Sequence, residues 1–89
     1  MYESFSVNRK RLLRRLLAGS YNVSFSDMMN LVRGFGFDPA RTSGSHHIFT
    51  HPNIPELLNL QNVGGQAKPY QIRRFLKLVE RYDLRLEED

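Results

Sequence analysis

Between Phe37 and Ala67 the chain reads as strand-like runs broken by turn residues at close intervals. Phe37 to Thr42, His46 to His51 and Leu57 to Asn62 are the runs, and Ser43-Gly44-Ser45 and Pro52-Asn53-Ile54-Pro55 separate them. A parallel pair of strands needs a crossover of about a dozen residues or more, which neither connection supplies. The short connections therefore favour an antiparallel meander. Ile48 and Phe49 give the middle run its β character, and Pro52 closes it. Asp38-Pro39 interrupts the first run and suits an edge position, because proline cannot donate to a ladder. Gly64-Gly65-Gln66 is expected to be a flexible connection.

Helical periodicity flanks this region. Asn8 is placed to N-cap a helix running to about Ala18, with Gly19 just past its end. Leu12, Leu13, Leu16 and Leu17 form its apolar stripe and arginines its opposite side. Docking onto the domain, nucleic-acid binding and a partner contact are all open to such a helix, and docking is the commonest. A second helix opens at Phe25-Ser26-Asp27, with Ser26 as expected N-cap, and buries Met28, Leu31, Val32 and Phe35. Gly34 and Gly36 end it. Pro69 suits the first turn of a last helix whose apolar face is Ile72, Phe75, Leu76 and Val79, with Leu84 and Leu86 adding contacts.

The expected fold class is α+β: a three-stranded antiparallel sheet with the helices on one face and the other face free. This order resembles the double-stranded-RNA-binding architecture, preceded by an extra N-terminal helix. The chain divides into a basic helix and linker over 1–24, the domain over 25–86, and an acidic tail over 87–89.

Composition narrows the function. There is no cysteine among the 89 residues, which excludes a disulfide scaffold, a thiolate zinc site and a cysteine nucleophile. No apolar run approaches the ~20 residues of a membrane span, and the N-terminus lacks a secretory core, so a cytoplasmic protein is expected. Within the net charge of +4, Arg9, Lys10, Arg11, Arg14 and Arg15 form one basic group. Lys68, Arg73, Arg74, Lys77 and Arg81 form another, and between Thr42 and Ala67 the only charged residue is Glu56. Two basic segments around a neutral middle suit a polyanion, although solvated helix faces carry the same residue types.

All three histidines, His46, His47 and His51, fall in the middle run. Strand residues alternate between faces, so either His46, Ile48 and Thr50 point outward or His47, Phe49 and His51 do. Burying Phe49 removes more apolar area from water than burying Ile48, which favours an outward His46. The same parity buries Leu58 and Leu60 and exposes Leu57, Asn59 and Gln61. No metal site is expected: no carboxylate or thiolate lies close, and His47 and His51 would share a face at i, i+4 only on a helix. Ser45 is a poor nucleophile candidate, because adjacent strand side chains diverge from one another. One outward histidine is nonetheless enough to cleave RNA. It takes the proton of a ribose 2′-hydroxyl while that oxygen attacks the neighbouring phosphorus, so neither a metal nor a cofactor is needed. Cations stabilise the charge that develops on the phosphate oxygens. The candidate RNA-binding residues are Gly44 and Ser45 in the turn, Lys68 at the start of the last helix, and Arg73, Arg74 and Lys77 along it.

Gly-Phe-Gly-Phe at 34–37, Gly44-Ser45-His46-His47-Ile48-Phe49, His51-Pro52 and the final helix from Pro69 to Tyr82 together resemble the HicA toxin family. The resemblance extends from about Phe25 to Leu84. It implies a double-stranded-RNA-binding-like fold, mRNA cleavage, and a HicB-like antitoxin protein as partner, with no small-molecule cofactor and no membrane. The family's essential histidine lies in its Gly-Ser-His motif and maps onto His46. His47 is the fallback, since some members carry the histidine one place later. The chain departs from the family's minimal members in its basic N-terminal helix, its proline-rich connection after His51 and its uncharged third strand. The alternative to a nuclease is a non-catalytic RNA-binding or protein-interaction module on the same surface.

Overall fold

The computed structural model describes residues 8–87. Within them, helices α1 (Arg9–Leu17) and α2 (Phe25–Gly34) precede strands β1 (Asp38–Ser43), β2 (His46–Thr50), β3 (Leu58–Val63) and β4 (Gln66–Ala67), and helix α3 (Pro69–Arg81) follows. The strands form one antiparallel meander in sequence order, β1-β2-β3-β4. β1 and β3 each lie one residue later than the sequence suggests, and Phe37 is a core residue.

The fourth strand corrects the expected three. Gly64 and Gly65 both have positive φ, +60° and +84°, between the paired residues Val63 and Gln66. That is the dihedral pattern of a two-residue type I′ hairpin turn, whose twist matches the flanking strands. The glycines therefore make a fixed turn where the sequence suggests a flexible connection. The segment leading into α2 closes the far edge of β4: the Phe25 N–H donates to the Gly65 carbonyl at 2.8 Å and the Ala67 N–H to the Val23 carbonyl at 3.4 Å.

This pairing also relocates the cap of α2. Ser24, bridged to Gln66, is held extended, and its Oγ accepts from the Asp27 N–H at 3.1 Å. Ser24 rather than Ser26 is thus the N-cap. Asn8 caps α1 as expected, accepting from the Arg11 N–H at 3.0 Å.

The helices back one face of the sheet. Phe49, Leu58, Leu60 and Ala67 meet Met28, Leu31 and Val32 from α2 and Ile72, Phe75 and Leu78 from α3. Leu76 and Val79, expected on the buried face of α3, pack at its margin, and Leu78 takes the fully buried position. Leu12 and Leu16 of α1 belong to the same core. Each such leucine contributes about 1.5–3 kcal/mol through burial, so α1 is docked structure. No helix among the described residues is long and apolar enough to cross a membrane.

Candidate active site

The Gly44-Ser45 turn sets up the outer face. Gly44 has φ +59° while Ser45 has no positive φ, and the flanking Ser43 and His46 pair, which is the pattern of a type II′ hairpin. A Cβ on Gly44 would meet nothing within 4 Å, so the dihedral, not space, calls for glycine. The turn starts β2 at His46, opposite Gln61 of β3. Gln61 Nε2 donates to Ser45 Oγ at 3.3 Å, and the Asn62 N–H donates to the Ser45 carbonyl at 2.9 Å.

The register agrees with the expected parity. Phe49 pairs with Leu58 and His47 with Leu60 on the helix side, so His46, Ile48 and Thr50 face away from the helices. His46 Nδ1 lies 3.3 Å from Asn59 Oδ1. Leu57 is exposed and Ile48 half-buried.

The three histidines have separate surroundings. The His47 ring lies 4.7 Å from that of Phe25, and its Nδ1 is 3.3 Å from Thr42 Oγ1. His51 is a core residue. Its Nδ1 accepts from the Asn53 N–H at 3.1 Å, so Nε2 carries the proton and donates to the Phe35 carbonyl at 3.0 Å.

β4 ends at Ala67, opposite Asn62, and Lys68 follows it as the N-cap of α3, while the Gln61 N–H donates to Gln71 Oε1 at 2.6 Å. Lys68 Nζ sits 5.3 Å from the Tyr70 ring centroid. At the other edge of the sheet, β1 bulges between Pro39, opposite Phe49, and Arg41, opposite Ile48. Plain alternation from Pro39 would turn Arg41 toward the helices; the extra residue turns it outward, diagonal to His46.

Arg73, Arg74 and Lys77 lie elsewhere, exposed on α3 behind the sheet. Arg73 stacks 5.7 Å from the Tyr21 ring centroid, and Arg74 contacts Glu56 at 3.3 Å. Glu56 also receives Arg81 at 3.0 Å and the Tyr82 hydroxyl at 2.6 Å. The Tyr82 hydrogen bond is the main reason the Glu56 carboxyl titrates below its ordinary value, with burial opposing and Arg81 and Arg74 assisting.

Three outward residues stand beside those expected from sequence: Arg41, Asn59 and Gln61. Strand alternation already exposes the two amides, whose proximity to His46 depends on register. Arg41 depends on a bulge beside Pro39, a residue that strands admit at edges or bulges without fixing which.

An antiparallel meander backed by helices, with histidine, amide and cationic side chains on its free face, is an α+β domain of the double-stranded-RNA-binding type. The family model for the HicA toxin of bacterial toxin–antitoxin systems matches residues 25–80, and the chain belongs to that family. The matched segment starts at the first residue of α2, so α1 lies outside it. No curated protein and no solved structure matches the chain.

Proposed function

We propose that the protein is an endoribonuclease that cleaves mRNA in the cytoplasm, with His46 as general base. The observation that carries this reading is the outward His46, fixed by a two-residue turn opposite Gln61 and beside Asn59. Nε2 of His46 takes the 2′-hydroxyl proton as that oxygen attacks phosphorus, so the RNA supplies the nucleophile. The P–O5′ bond breaks, the 5′-oxygen takes a proton from water, and a 2′,3′-cyclic phosphate and a 5′-hydroxyl end result. Lys68 and Arg41 offset the charge growing on the phosphate oxygens. The Gly44-Ser45 backbone lies against the phosphate, and Arg73, Arg74 and Lys77 hold flanking RNA through their field.

Silencing such a site requires covering the outer face. A HicB-like antitoxin protein seated across β2 and β3 would bury Ile48 and Leu57 and occlude His46, and the basic surface would speed association of an acidic partner.

The test is cleavage of an RNA oligonucleotide by purified protein. His46→Ala should lose ~10²–10⁴-fold in rate with its melting temperature unchanged. A fully 2′-deoxy strand should stay intact, and chelator should have no effect. Cleavage by His46→Ala at the wild-type rate, with loss in His47→Ala, would move the base to His47. RNA binding without cleavage by the wild type would make the protein a binding module.

A further inference from the structure

We propose that Asn59 is a positioning residue that fixes the tautomer of His46, a role that rests on the reading of His46 as general base. Asn59 lies diagonal to His46 across the β2–β3 ladder, with Oδ1 3.3 Å from Nδ1. An amide oxygen can only accept, so this contact places the imidazole proton on Nδ1. In the neutral ring the lone pair then belongs to Nε2, and which nitrogen is free is decided by the bond the other makes. An unanchored imidazole carries its proton mainly on Nε2, the nitrogen that has to be empty to accept the 2′-hydroxyl proton. Asn59 therefore selects the competent form before substrate arrives.

An amide suits this position better than a carboxylate would. A carboxylate also holds Nδ1–H, but it favours the doubly protonated ring and places a negative charge beside a polyanion. The charged groups on the face of His46 are Arg41 and, at the far end opposite Thr50, Asp38 of β1, while Lys68 lies beyond β4 as the N-cap of α3. The described residues of β3 bring no charged side chain to this face. None of these groups changes in an Asn59 variant, so altered titration reports Asn59 itself.

The test combines ¹⁵N NMR of the His46 imidazole with single-turnover cleavage across pH, on the full-length chain. The wild type should show proton-bearing Nδ1 and bare Nε2. Asn59→Ala should shift the ring toward the Nε2–H form and slow cleavage by about tenfold or more, part of what a positioned base supplies, with RNA affinity and melting temperature retained. Asn59→Asp should restore the Nδ1–H tautomer and move the acid limb of the pH–rate profile to higher pH. A wild type that cleaves through His46 while holding Nε2–H overturns the role of Asn59 alone, and so does Asn59→Ala with unchanged tautomer and rate. A wild type that cuts no RNA, or a fully active His46→Ala, overturns the base assignment and the role of Asn59 with it.

Discussion

A Cβ on Gly36 would sit 2.9 Å from Nε2 of His51, and Gly36 has φ +95°. The imidazole cannot retreat, because it is buried and bonded at both nitrogens, to Phe35 and Asn53. Gly36→Ala should therefore cost about 1–3 kcal/mol in strained backbone and more from displacing His51. Gly64→Ala has a positive φ but open space, so it carries the strain alone. Urea unfolding of the two variants should show Gly36→Ala as the less stable by a clear margin.

Glu56 ties the β2–β3 connection to α3 through Arg74, Arg81 and Tyr82. Its carboxyl is lowered in the fold from 4.5, so its stabilisation is present above that value and is lost as pH falls through the lowered one. Tyr82 is raised from 10.0, chiefly by its hydrogen bond to Glu56, so its share is present below that value and is lost as pH rises through the raised one. Thermal melts should show a smaller acid-side loss for Glu56→Gln than for the wild type. Equal losses would mean that this cluster contributes nothing to the pH dependence.

Helix α1 is part of the core even though it lies outside the family-matched segment. Leu16→Ala should cost about 2–5 kcal/mol, as in other well-packed cores. Leu17, two-thirds exposed, should tolerate the same change with little effect. Chemical denaturation separates them, and a silent Leu16→Ala would mean that α1 is an appended arm.

The two cationic regions should affect different measurements. Charge reversal at Arg73 and Lys77, on the back of α3, should weaken RNA binding and reduce its salt slope by about 0.7 for each phosphate that is no longer neutralised. Lys68→Gln should slow cleavage more than it weakens binding, because Lys68 is proposed to offset the charge that grows on the scissile phosphate. The opposite pattern would place the scissile phosphate at α3.

Much of the architecture is legible in the sequence because helix and strand periodicities differ and the turn residues are conspicuous. The parity of β2 follows from Phe49 outweighing Ile48 in apolar area. Two of the differences had signals of their own. Gly64-Gly65 is a hairpin dipeptide, and Ser24-Phe25-Ser26-Asp27 carries an acidic side chain three residues after Ser24, as a capping box does. The site is only partly legible. Clustering in sequence groups the three histidines, yet alternation and burial give each a different neighbourhood. Arg41 reaches the outer face through an added residue in β1, whose cost and gain are set by pairing that the chain does not display locally.

Among the described residues the four strands pair in sequence order, and β4 is also bridged by Ser24 from the segment before α2. Such topology keeps loop closures short, and chains of this kind reach the native state quickly. The His46 end of the outer face lies on contiguous hairpins, whereas the β4 edge is completed by the distant segment 23–25.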